Sequence, residues 1–114
     1  MYLDYILARV KRALTNSDDL RREEYKGNPN VYAGHCYVAS EAVYHLARKA
    51  GIDLKPMFLY HESTPHWYLM DSEEILDPTK EQFTSLVDYH KGKGKGFLTK
   101  HPSKRAAELI RRSL

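Results

Sequence analysis

Apolar residues recur at helical spacing near both ends of the chain and through residues 36–49, and at strand spacing in between. From Tyr2 to about Thr15, Leu3, Ile6, Leu7, Val10 and Leu14 fall on one helical face. Asn16-Ser17-Asp18-Asp19 breaks that pattern or caps a short following helix, and Gly27-Asn28-Pro29-Asn30 reads as a turn after a polar stretch. A second helix is predicted over Cys36–Lys49, with Ala39, Ala42, Val43, Leu46 and Ala47 as its buried stripe. Arg48 and Lys49 suit its negative end, and Gly51 suits the position just beyond.

A β section follows. Residues 52–61 hold Leu54, Met57, Phe58, Leu59 and Tyr60, and Glu62-Ser63-Thr64-Pro65 connects them to a strand over 66–70. Asp71–Glu74 forms a tight turn into a strand over 75–77, which Pro78 ends because it lacks a donor. Thr79 to about Tyr89 reads as a short helix carrying Phe83, Leu86 and Val87. Lys91-Gly92-Lys93-Gly94-Lys95-Gly96 reads as a flexible loop, and a last helix spans Ser103–Arg112 with Ala106, Leu109 and Ile110 on one face. No repeat or domain boundary interrupts the chain. The reading is a single α+β domain over 1–114, with a helical segment (1–29), a core (30–89) and a basic loop and helix (90–114).

Length and composition narrow this little. A chain of 114 residues that is 42% hydrophobic suits one compact domain. Nine tyrosines against three phenylalanines put much of the aromatic surface near water. No stretch approaches the roughly 20 apolar residues of a membrane span, and the start, with Asp4, Arg9, Lys11 and Arg12, lacks the apolar block of a secretory signal. A single cysteine cannot form an internal disulfide, which fits a reducing cytoplasm. Charge is uneven: residues 1–89 carry ten Lys or Arg against fourteen Asp or Glu, while residues 90–114 carry eight against one. The basic end is either a solvated surface or a contact for an anionic partner through residues 90–112.

The candidate chemistry centres on Cys36, placed where a Gly-containing turn leads into the second helix. A helix start carries partial positive charge and free N–H groups, which favour a thiolate. If Asp71–Glu74 closes a hairpin, Met70 faces Ile75 and Tyr68 faces Asp77. His66, Tyr68 and Met70 then share a sheet face with Ile75 and Asp77, and His66 and Asp77 become diagonal neighbours. A one-residue slip would separate them. A histidine beside a thiol can take its proton and return it to a leaving group, while a carboxylate beyond the ring holds the tautomer. The Cys36 N–H and the Asn30 side chain are candidate oxyanion donors. Each residue also has an ordinary structural role: Cys36 as a buried hydrophobe, His66 as a strand residue, Asp77 and Asn30 as turn formers. His61 is the alternative base, His35 a candidate substrate contact, and His45 is read as structural. A zinc site on Cys36 with His35, His61 or His66 matches no established ligand spacing, so neither metal nor organic cofactor is expected.

Gly34-His35-Cys36, His66-Trp67 and Leu76-Asp77-Pro78-Thr79 together resemble the papain-like cysteine superfamily, particularly its transglutaminase-like branch. The resemblance implies a papain-like core in which a helix begins with the cysteine and packs on a small antiparallel sheet. It also implies that histidine and aspartate come from consecutive strands. The Asn30-to-Cys36 spacing is similar to that of the oxyanion glutamine in papain-like proteases. The Gly/Lys stretch and terminal helix also resemble small proteins encoded by bacteriophages and some bacteria, which would place the chain in a host cytoplasm.

The expectation is a cysteine-dependent hydrolase or acyltransferase acting on an amide, ester or thioester of a peptide or small molecule. Cys36 is the nucleophile, His66 the base and acid, and Asp77 the orienting carboxylate. Tyr37 and Trp67 wall the cleft, with Trp67 facing away from His66, and Lys91, Lys93 and Lys95 form a mobile anion-binding lid. The alternative is a non-catalytic module whose basic C-terminal surface binds nucleic acid or a host protein, with Tyr89 and Phe97 stacking on bases.

Overall fold

The computed structural model describes residues 2–114. Helices α1 (Tyr2–Leu14), α2 (Cys36–Lys49) and α3 (Lys104–Arg112) pack with strands β1 (Lys55–His61), β2 (Thr64–Asp71), β3 (Glu74–Leu76) and β4 (Lys93–Gly94). The four strands form one antiparallel sheet in the order β3-β2-β1-β4, so the fold class is α+β. No helix among the described residues is long and apolar enough to cross a membrane.

Alternation along β2 divides the apolar interior. Leu69 and Leu76 join the main core, with Leu3, Ile6, Val10 and Leu14 of α1, Ala39, Ala42, Val43 and Ala47 of α2, and Leu109 of α3. Tyr68, one residue away, faces the other side, where it clusters with Met57 and Leu59 under Val87 and Tyr89. Each large apolar side chain so buried contributes about 1.5–3 kcal/mol. The helices therefore cover one face of the sheet, and the chain after β3 covers the other.

The hairpin pairs Met70 with Ile75 and Leu69 with Leu76, the register the alternation predicts. Strand limits differ from expectation. Glu62 and Ser63 both have positive φ, 50° and 65°, so a two-residue loop closes the β1–β2 hairpin and β2 begins at Thr64 rather than His66. β1 begins at Lys55, after a buried Leu54.

Two expectations are corrected. Residues 79–89 do not form a helix: one 3-10 turn covers Lys80–Gln82, another covers Tyr89–Lys91, and the chain between them is irregular. Leu86, counted toward an apolar face, is 97% exposed, while Phe83 lies edge-on to His61 and His66 at 4.5 and 4.9 Å. Two histidine rings on the sheet, rather than a helical partner face, take up the phenylalanine. The Gly/Lys stretch is not a free loop. Lys93 and Gly94 pair with Phe58 and Met57, and the Lys95 N–H donates to the Pro56 carbonyl at 3.1 Å. Gly92 is required there, because a Cβ would stand 1.6 Å from the Tyr68 hydroxyl oxygen.

A buried carboxylate fixes α3. Glu41 of α2 is fully buried and accepts from the Ser103 N–H at 2.7 Å and the Ser103 hydroxyl at 2.8 Å. Ser103 is the N-cap of α3 and accepts in turn from the Ala106 N–H at 3.2 Å. A negative charge thus sits at the positive end of the helix dipole. Glu41→Ala leaves two donors without their acceptor and should cost roughly 3 kcal/mol of unfolding free energy. Urea denaturation measures this, and a loss below about 1 kcal/mol would contradict the account.

Candidate active site

The segment before α2 is held rigidly. Arg21, only 6% exposed, donates from its guanidinium to the carbonyls of Asn30 (2.9 Å), Ala33 (3.0 Å) and Asn28 (3.0 Å). Its Nε stands 3.0 Å from Asp18 Oδ1 as an ion pair without hydrogen-bond alignment. Gly34 has φ +79°, and a Cβ there would meet the Tyr25 ring at 2.4 Å. Both the turn and the close approach therefore demand glycine. His35 is fully buried, with Nδ1 2.9 Å from the Val31 carbonyl and Nε2 3.1 Å from the Ser17 carbonyl. Burial pushes its pKa down. These contacts deliver Cys36, half-buried, to the first position of α2. Its N–H has no preceding helical carbonyl to compete for it.

His66 comes from β2 and Asp77 from the residue after β3. β3 pairs only with Leu69–Asp71, so the earlier part of β2 has no strand on that side. Pro65 lies on this open stretch, with its carbonyl 4.0 Å from Cys36 Sγ. The N–H that proline lacks would have pointed to the same unpaired side, which makes the residue tolerable in a strand. Next to it, His66 Nε2 lies 2.6 Å from Asp77 Oδ2, with both side chains all but sealed from solvent. The other Asp77 oxygen accepts from the Thr79 N–H at 3.3 Å, and the Tyr89 hydroxyl donates to Oδ2 at 2.7 Å. Asp77 is thus oriented from two directions, and burial beside this carboxylate drives the Tyr89 pKa up.

Burial by itself would lower the His66 pKa. Hydrogen bonding to Asp77 and to Cys36, reinforced by their negative charges, raises it to about 9. The thiol therefore acts on the ring that Asp77 holds. Gln82 completes the environment: its amide nitrogen is 3.0 Å from His66 Nδ1 and 3.2 Å from Thr79 Oγ1. It donates to Nδ1 of a neutral ring, and a half-turn of the amide presents oxygen to an imidazolium.

Cys36 opens onto a cleft of about 490 Å³ bordered by Tyr37, Pro65, Trp67, Gln82 and the start of α3. Trp67 meets the Tyr37 ring edge-on at 4.9 Å and stacks on Phe97 at 5.6 Å. The Tyr37 hydroxyl accepts from the Leu98 N–H at 2.8 Å, which pins the chain at 97–98 against the cleft wall.

Cys36, His66 and Asp77 are brought together, and Tyr37 and Trp67 border the same cleft. Other expected site residues lie elsewhere. His35 is buried and unavailable to a ligand. Asn30 donates from its amide to the Glu81 carbonyl at 3.1 Å and accepts from the Tyr32 N–H at 3.0 Å, so its side chain holds a turn and does not border the cleft. Lys91, Lys93 and Lys95 follow the β1 edge of the sheet and are no lid; Lys95 stands 4.5 Å from the Phe58 ring centre. Tyr89 and Phe97 face inward, onto Asp77 and the Tyr37–Trp67 pair, and are not free to stack on bases. His61 bonds Ser85 at 2.8 Å rather than the thiol. No cluster of metal-ligating side chains occurs among the described residues. Gln82, Tyr89, Arg21 and Glu41 reach their roles through tertiary contacts, with no motif in the sequence to mark them.

Comparison with models of protein families, with curated proteins and with solved structures returns no match.

Because the folded His66 pKa lies above its ordinary 6.5, the stability it contributes is complete below about pH 6.5 and is lost as pH rises through about 9. NMR titration of the His66 ring should show the proton retained at neutral pH and released near 9. In Asp77→Asn, burial should prevail and bring the midpoint below the ordinary value. A wild-type midpoint at or below 6.5 would contradict the coupling.

Proposed function

We propose that this chain is a cysteine-dependent hydrolase or acyltransferase of papain-like type, acting on an amide, ester or thioester. The observation that carries the reading is a buried imidazole paired at 2.6 Å with a buried carboxylate, next to a cysteine that heads a helix, opens onto a cleft and has its Sγ 4.0 Å from the carbonyl of the residue before that histidine. A histidine bonded only to Asp77 would be a structural pair; the neighbouring thiol gives the pair a proton donor and a nucleophile.

The chemistry follows from the geometry. His66 Nδ1 takes the Cys36 proton, and Asp77 stabilises the imidazolium through Nε2. The thiolate adds to the carbonyl carbon, and the oxygen takes the charge next to the Cys36 N–H at the start of α2. Gln82, rather than Asn30, is the side-chain amide at the cleft, and its contact with Nδ1 orients the ring that serves the thiol. Collapse breaks the bond to the leaving group, which receives the proton from His66. Water or an amine then attacks the acyl-enzyme, with His66 taking its proton, and the thiolate leaves. Tyr89 holds Asp77 against the ring throughout.

Iodoacetamide should modify Cys36 readily at pH 6, and His66→Ala should slow it about tenfold or more. Slow modification at pH 6 that does not respond to His66→Ala would make Cys36 a structural residue and overturn the reading.

A further inference from the structure

The charged residues that line the cleft are of one sign. Arg22, Lys104 and Arg105 all border it together with Cys36, and none of its bordering residues bears a carboxylate. The three cations come from two separate segments, the chain before the nucleophile loop and the first turn of α3. The other basic groups in those regions are neutralised: Arg21 pairs with Asp18, Lys26 with Glu23, Arg111 with Glu108, and Arg112 with Asp19 and Glu108. Among the described residues, Arg22, Lys104 and Arg105 make no ion pair, and of their side chains only that of Arg105 has a hydrogen bond to protein, from Nη1 to the Leu20 carbonyl at 3.1 Å. The neighbouring carboxylates are engaged elsewhere: Glu23 with Lys26, Glu108 with Arg111 and Arg112, and the buried Glu41 with the Ser103 N–H and hydroxyl.

Unpaired cations around a cleft repel one another and lose hydration as the cleft fills, so the arrangement favours an occupant that brings negative charge. The same lining also holds the aromatic and apolar Tyr37, Pro65 and Trp67. The cleft thus offers apolar surface for an uncharged backbone or chain and cations for an anion.

We propose that the acyl substrate of this site carries a carboxylate or phosphate group, and that Arg22, Lys104 and Arg105 bind it while Cys36 meets the scissile carbonyl. This rests on the proposed cysteine chemistry. It relocates anion recognition from the Gly/Lys stretch, which lies along β1, to the junction of the nucleophile loop with α3.

Two alkylating agents of nearly equal size, iodoacetate and iodoacetamide, test the rim at Cys36 without needing turnover. His66 is present in every variant, so the ratio of the two rates isolates the rim. Lys104→Gln should lower the iodoacetate-to-iodoacetamide ratio by threefold or more, and Arg22→Gln with Lys104→Gln should lower it further. Lys104→Arg should preserve it, and raising the salt concentration should lower it in the wild type. Protection of Cys36 from iodoacetamide by succinate, against protection by inorganic phosphate, assigns the source of the charge. A ratio that is unchanged in the double variant and insensitive to salt would overturn the proposal. Failure of the cysteine chemistry shows separately, as slow iodoacetamide modification at pH 6 whatever the ratio. Circular dichroism of each variant guards against reading misfolding as lost recognition.

Discussion

A histidine and an aspartate buried side by side must satisfy one another, and much of this fold is arranged so that they can. Leaving either alone in an apolar interior would cost several kcal/mol. Their 2.6 Å contact requires one register of the β2–β3 hairpin, an aspartate one residue beyond the end of β3, and a proline that stops the strand there. It also requires a lid on the side away from the helices. Tyr89 supplies it, and Gly92 lets the chain pass close enough over Tyr68 to deliver Tyr89.

The second constraint concerns the thiol. Cys36 has to arrive at an open stretch of β2 from a different layer of the molecule, and a flexible loop would not hold it there. Arg21 ties down three carbonyls of that loop, and His35 is held between two more. These are buried polar groups tied to several backbone carbonyls at once, which rigidifies the loop. Cys36 is thus positioned by hydrogen bonds, while α2 behind it is positioned by small apolar side chains against the sheet.

Periodicity made much of this legible. The helices at 2–14 and 36–49 and the pairing of Met70 with Ile75 follow from spacing, because a buried face leaves its period in the sequence. Residues 79–91 were not legible in that way. Phe83 and Val87 are spaced like a helical face, yet each packs on a different part of the sheet. The alternation of Lys and Gly suggests freedom, whereas Gly92 serves close approach and Gly94 a strand edge. Cys36, His66 and Asp77 stand out because few residue types suit that chemistry. Gln82, Tyr89 and Glu41 do not, since any of them reads as an ordinary polar residue until a distant segment folds against it.

The cleft is assembled from both ends of the chain. Cys36, His66 and Asp77 all lie before residue 80, but part of the cleft is built from residues 98–105, held in place by Glu41 and the Tyr37 hydroxyl. Two short links, Glu41 to the Ser103 N–H and the Tyr37 hydroxyl to the Leu98 N–H, therefore carry the enclosure of the thiol, and loosening either would open the cleft without touching Cys36, His66 or Asp77.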